Sequence, residues 1–181
     1  FSLLVLSEIA YYDLTTPTLD ESEVQQLLNR ALTYFVAEKD LRGYEPDKGW
    51  AHAVAHGADF LWVLAQNRYV GVGELGHIMN VIATRIAEPV AFVYLYDEDE
   101  RLARTVMGIL QRDLLKPTFL SHWLQRITQP PDRTPLNTGF ESEQALEIVG
   151  NDPETCARHN RKHFLRSLYF QLRTPGFAGL T

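Results

Sequence analysis

Two imidazoles and a carboxylate stand at His52, His56 and Asp59, spaced i, i+4 and i+7. On a helix turning about 100° per residue, the three side chains fall within roughly 60° of one another. A His pair one turn apart can chelate Zn²⁺ or another divalent ion, with the carboxylate as a third ligand. The same trio can instead serve a non-metal ligand or acid–base catalysis. It can also be purely structural, hydrogen-bonded to neighbours such as Tyr44 or Asp47 and pinning the preceding loop. Ala53 follows the first histidine. The Glu of an H-E-x-x-H zinc-protease helix is therefore missing, and hydrolysis by that route is not expected. Around the trio the segment is small or apolar, with Trp50, Val54, Ala55, Ala58, Phe60, Leu61 and Leu64. A polar stripe on such a helix needs partners, because buried polar groups must be paired.

The elements that would carry this stripe are helical. Phe1 to Ala10 reads as the inside of an amphipathic helix with no cap before it, which predicts a natural chain extending further N-terminal. Asp20 with Glu23 forms a capping-box pattern ahead of a helix from Glu21 to about Glu38. A polar loop, Lys39 to Lys48, contains the breakers Gly43 and Pro46. The His helix is predicted over Gly49 to Gln66, the next over about Glu74 to Ala87, and another from the caps Asp97 and Glu100 to about Asp113. Pro117 opens a helix to Ile127, since proline suits the first helical position. A Pro-rich loop, Gln129 to Gly139, a short helix, Glu141 to Val149, and a long one from Asp152-Pro153 to about Arg173 complete the chain. Val90 to Tyr96 is β-branched and aromatic but has no partner of like character, and is read as a buried irregular or short helical connector.

An offset of 45 residues maps one helix pair onto the next. Leu61 falls on Val106, Leu64 on Ile109, Leu75 on Leu120, His77 on His122 and Ile82 on Ile127. Two helices per unit near that period is the length class of HEAT and armadillo repeats, in which stacked pairs bury faces that no pair can bury alone. The predicted fold is therefore all-α, a HEAT/armadillo-like α-α superhelix forming a single helical-repeat domain over residues 1–181 and lacking its natural N-terminal part. The same offset carries His52 to Asp97, His56 to Arg101 and Asp59 to Arg104, placing polar rows side by side on one surface.

Composition bounds the function. The 181 residues are 45% hydrophobic and 22% charged, the balance of a globular domain with a real core. A net charge of −6 gives no electrostatic case for nucleic acid. Apolar runs are too short to span a bilayer, so no membrane partner is expected. One cysteine, Cys156, excludes an internal disulfide and a Cys-based metal site, and fits a cytoplasmic location. It is read as a buried, inert thiol rather than a nucleophile. His77 and His122 are read as packing residues, and Trp50, Trp62 and Trp123 as core or rim aromatics. Arg158, Arg161, Lys162 and Arg166 form a basic helix face, read as solvated surface rather than a phosphate site. No G-x-S-x-G elbow and no phosphate-binding glycine loop is present.

The segments Arg42-Gly43-Tyr44, Gly49-Trp50-Ala51-His52-Ala53-Val54-Ala55-His56-Gly57-Ala58-Asp59, Asp99-Glu100-Arg101-Leu102-Ala103 and Phe164 to Phe170 resemble the motifs of an uncharacterised bacterial domain-of-unknown-function family. The resemblance covers Phe1 to about Leu172 and is similar to the C-terminal two-thirds of that family. It implies an all-helical superhelical fold and no assigned activity.

The functional expectation is a binding module recognising a polar or anionic ligand, or an unknown protein partner. Its groove would be lined by His52, His56, Asp59, Tyr44, Asp47, Arg101 and Arg104. The alternative is a hydrolase-like enzyme, with or without a metal held by His52, His56 and Asp59, using the same groove. An Arg beside Asp59 would favour the carboxylate's charged form and compete with a divalent cation, which ranks an organic ligand above a metal and leaves no cofactor expected. An exposed apolar face on the first helix offers a route to a homo-oligomer.

Overall fold

The computed structural model describes residues 2–129 and 152–174. Seven helices are described: α1 (Ser2–Thr15), α2 (Glu21–Ala37), α3 (Ala53–Ala65), α4 (Val72–Ala87), α5 (Glu98–Gln111), α6 (Pro117–Thr128) and α7 (Pro153–Leu172). The predicted helix over Glu141 to Val149 lies outside the described residues. Among the described residues the one sheet is a short antiparallel hairpin, β1 (Tyr44–Glu45) paired with β2 (Gly49–Trp50).

That hairpin corrects the start of the His helix. Gly49 has φ +79° and Trp50 pairs with Tyr44, so this stretch is spent on a turn and a ladder rather than on helix. His52 then serves as the N-cap of α3 with a left-handed backbone, φ 50° and ψ 30°. At the start of α2 the predicted capping box forms: Asp20 accepts from the Glu23 amide and Glu23 accepts from the Asp20 amide, both at 2.9 Å. This satisfies two donors that the first turn would leave unpaired. At α4 the Glu74 carboxylate accepts from the Gly71 amide at 3.1 Å, so the helix starts at Val72, two residues earlier than predicted.

The helices pack in two successions. α3 lies against α1 and α5, and α5 against α3 and α7, while α4 contacts α2, α6 and α7. The buried side chains between them include Phe35, Leu61, Leu64, Ile78, Met79, Ile82, Val106 and Phe164. Polar ties cross the same seams. Trp123 Nε1 donates to the Met79 carbonyl at 2.6 Å, and Thr105 Oγ1 donates to the Ala58 carbonyl at 2.9 Å. Arg112 donates to the carbonyls of Ala65 and Val70, closing the C-terminal end of α3 with a cation suited to that end of the helix dipole. Arg68, just past α3, similarly reaches back to α1, bonding Asp13 and the Leu19 carbonyl.

Residues 88–97, between α4 and α5, are irregular, and Tyr94 is the side chain they bury most deeply. Val90 to Tyr96 is thus only partly buried, not a core segment. Its conformation is held from α7: Asn160, fully buried, accepts from the Tyr94 amide at 2.8 Å and donates to the Phe92 carbonyl at 2.9 Å. Asn160 thus meets two of the segment's backbone polar groups, as burial requires. Among the described residues no helix is long and apolar enough to cross a membrane.

Candidate functional site

The site grows from the hairpin. The Ala51 amide donates to the Gly43 carbonyl at 2.8 Å and the His52 amide to the Arg42 carbonyl at 3.0 Å, locking the chain into α3. With its backbone held left-handed, His52 turns its ring toward the segment before α5. Nε2 lies 2.7 Å from the Tyr96 carbonyl oxygen. A carbonyl only accepts, so Nε2 carries the proton and donates. The same nitrogen is 3.5 Å from Oε1 of Glu98, a carboxylate 1% exposed. The other oxygen, Oε2, accepts from the Tyr96 amide at 2.8 Å, while Oε1 has no hydrogen-bond partner.

Aromatic rings roof this pair. Trp50 stacks on His52 with ring centroids 4.4 Å apart, and Tyr96 meets Trp50 edge-on at 5.7 Å. Tyr44 packs edge-on against Trp50 at 5.1 Å, so it reaches the site only through that indole. Gly43 is required underneath: a Cβ there would run into the Tyr96 ring. Trp50 is half-exposed, at 52%.

His56, one turn along α3, sits edge-on to His52 at 5.8 Å. Its Nδ1 is buried without a hydrogen-bond partner. Burial, and then the neighbouring His52, push its pKa below the ordinary histidine value, against an opposing pull from Asp59. His56 is therefore neutral at pH 7.

Asp59 follows another turn on and belongs to a second cluster. Arg101 and Arg104, both on α5, each donate to one of its two oxygens. Arg104 also lies over the Trp62 ring, 5.3 Å from its centroid. The Arg101 and Arg104 side chains are 34% and 48% exposed, and each spends one N–H on Asp59.

The predicted residues are therefore only partly united. His52 and His56 share one cluster and Asp59, Arg101 and Arg104 share the next along the α3–α5 seam. Asp47 does not join: it is exposed in the hairpin turn and makes no hydrogen bond or ion pair with the described residues. The His52/His56/Asp59 trio does not form a ligand set, because His52 has left the helix face and both oxygens of Asp59 are taken by arginines. Among the described residues no group of three His, Cys, Asp or Glu is placed to hold a metal ion. His77 and His122 are exposed on their helices, not packed in the core, because the buried faces of α4 and α6 are occupied by Leu75, Ile78, Met79 and Trp123. Cys156 is buried, and burial raises its thiol pKa, which keeps it protonated and unreactive.

Glu98 and Tyr96 are the members that sequence reasoning missed. A carboxylate at the start of a helix reads as an ordinary N-terminal charge. Nothing in its spacing announces that it folds back on Tyr96 and lies against a histidine 46 positions earlier. Beside the hairpin, an open groove of about 540 Å³ is lined by Lys39, Asp40, Leu41, Arg42, Ala91 and Phe92. It abuts the Arg42–His52 backbone link and does not open onto the histidine rings.

No curated protein and no solved structure matches the chain. A family model does match, over residues 1–170, and the chain belongs to the family described as protein of unknown function DUF2785.

Proposed function

We propose that the protein is a HEAT/armadillo-like helical-repeat binding module, acting in the cytoplasm, that takes an anionic group of a ligand or protein partner on the α3–α5 seam. The solenoid reading is supported by the successive packing of α1, α3, α5 and α7 and by cross-seam ties between residues 42–47 apart. The observation that carries the binding reading is the unused donor capacity of Arg101 and Arg104. Each spends one bond on Asp59, which pre-orients the guanidinium, and its other N–H groups have no partner among the described residues. Pre-organised arginines are suited to carboxylate or phosphate oxygens. The half-exposed Trp50 supplies an apolar platform over the neighbouring His52.

Titration with citrate and with a polyglutamate peptide, followed by Trp50 fluorescence against a Trp50→Phe reference, tests this. Saturable quenching that disappears in Arg101→Ala/Arg104→Ala supports it. No saturable change with either probe, together with a clear drop in melting temperature for His56→Ala, would make the stripe a structural network.

A second reading, a hydrolase-like enzyme, is favoured by one arrangement. The Nε2–H of His52 is committed to Tyr96 and Glu98, which leaves Nδ1 as the basic nitrogen. Hydrolysis of a p-nitrophenyl ester that falls in both His52→Gln and Glu98→Gln would favour it; activity unchanged by either substitution excludes it.

A further inference from the structure

We propose that the connector before α5 is an open strand edge, which takes an extended peptide segment of a partner protein by strand addition. Phe92 to Leu95 run without a turn or a bend, and their aromatic and β-branched side chains suit a strand. Among the described residues no strand lies beside them. One edge is tied instead to α7. Asn160 accepts from the Tyr94 amide and donates to the Phe92 carbonyl, so its carboxamide stands where the peptide group of a neighbouring strand would stand. On the same edge His163 donates through Nδ1 to the Tyr94 carbonyl at 3.4 Å.

An extended chain turns the N–H and C=O of successive residues to opposite edges. The bonding of this segment follows that alternation. Phe92 and Tyr94 bond to α7, and Tyr96 donates its amide to Glu98 and accepts from His52 at its carbonyl. The backbones of Ala91, Val93 and Leu95 bond to no described residue. The Leu95 side chain is 67% exposed. A row of unpaired N–H and C=O groups along one edge is a template for another strand, with main-chain bonds supplying the affinity.

The surroundings select the occupant. The groove of about 540 Å³ has Ala91 and Phe92 on one wall and Lys39 to Arg42 on the other. A second copy would bring its own edge in with its own far wall attached, and wall would meet wall. A free extended segment is narrow enough to enter, since paired strands lie about 4.8 Å apart. Phe92 and Leu41 offer apolar contact to alternate side chains of that segment. Arg42 is spent on Asp40 and Glu45, while Lys39 is exposed and makes no ion pair with a described residue. The segment therefore carries an acidic residue for Lys39. Pro89 and the bends at either side of Phe92 to Leu95 keep the edge to about 17 Å, five residues of strand, so the contact is small and weak. It is distinct from the Arg101 and Arg104 cluster and does not rest on the binding reading of that cluster.

The test uses the 181-residue chain and a fluorescein-labelled peptide, Glu-Val-Thr-Val-Thr-Val, read by anisotropy and by amide hydrogen exchange. Saturable binding with a Kd under about 1 mM is expected. In the free chain the Val93 and Leu95 amides should exchange faster than those of Tyr94 and Tyr96, and the peptide should slow the first two by about tenfold or more. Val93→Pro removes an amide that bonds to no described residue, and should abolish binding at unchanged circular dichroism and melting temperature. Lys39→Glu should weaken binding several-fold, and a probe with Lys in place of Glu should restore it. If Val93→Pro fails to fold, methylating alternate amides of the probe decides, since one of the two registers should abolish binding. Arg101→Ala/Arg104→Ala should bind the peptide as the wild type does, which separates failure of this proposal from failure of the anion site. The proposal is overturned by the absence of saturable binding, by binding that leaves Val93 and Leu95 exchange unchanged, or by binding indifferent to Val93→Pro or to both methylated registers. Binding lost in Arg101→Ala/Arg104→Ala moves the peptide to the other cluster and also overturns it. Dimers of the peptide-free chain in sedimentation velocity, abolished by Val93→Pro, overturn it in favour of self-pairing.

Discussion

His52 and Asp97, 45 residues apart, stand just before α3 and α5 and share a left-handed backbone: φ 50°, ψ 30° and φ 66°, ψ 13°. Each is the N-cap of its helix, and neither caps with its side chain. The likeness ends at the side chains, since the His52 ring is tied to Tyr96 and Glu98 while Asp97 points to solvent. Glycine tolerates this backbone, so substitution separates the two roles. Asp97→Gly should leave stability within about 0.5 kcal/mol of wild type, relieved strain offsetting added chain entropy. His52→Gly should cost about 1–3 kcal/mol, because the Tyr96 carbonyl loses its donor and the Glu98 carboxylate its nearest cation-capable neighbour. Urea unfolding of both variants checks this, and equal effects would contradict it.

Asp59 holds Arg101 and Arg104 together, so Asp59→Asn should release both guanidiniums. Because the arginines are partly exposed, solvent screens the loss, and the expected cost is about 1 kcal/mol. The difference from wild type should shrink between low salt and 1 M NaCl in matched urea melts.

The turn between α1 and α2 makes stability acid-sensitive. Burial opposes the charge on Asp13, but the amides of Leu19 and Thr18, then Arg68 and Asn67, outweigh it and hold the carboxyl well below the usual range. A carboxyl depressed in the folded state stabilises above its unfolded pKa, near 3.9, and loses that contribution as pH falls toward the folded value. Chemical denaturation from pH 5 downward should show a steep loss of stability, markedly flatter in Asp13→Asn.

His56 acts nearer neutrality. Its folded pKa is depressed by burial and by His52, so the unfolded chain binds the proton first as pH drops. Stability is complete above the unfolded value, about 6.5, and is lost below it. His159 is depressed too, first by its own burial, and contributes the same sign. The wild-type minus His56→Gln difference in unfolding free energy should therefore fall between pH 7 and pH 5. A flat difference would show that His56 is not held neutral.

Gly43→Ala tests the platform beneath Tyr96. The new methyl must displace the Tyr96 ring, and with it the carbonyl that accepts from His52. A loss of about 2–3 kcal/mol is expected, as for overpacking a filled position. Differential scanning calorimetry of the variant measures it.

What the sequence by itself determined is local. Apolar residues at 3.6-residue spacing placed the helices, Asp20 with Glu23 placed a cap that forms as written, and His56 and Asp59 were bound to share a side of α3. Arg101 and Arg104, 42 and 45 positions further on, do lie opposite Asp59. The tertiary structure decided the rest, because it depends on partners that periodicity does not see. The turn at Gly49 and the pairing of Tyr44 with Trp50 make the helix start late, so His52 leaves the stripe and takes a left-handed backbone. Its ring then finds Tyr96 and Glu98 across the seam, while Asp47 is left in the hairpin turn facing water. A side chain's neighbour along a helix follows from its number; its neighbour across a seam follows from where two backbones are forced to meet.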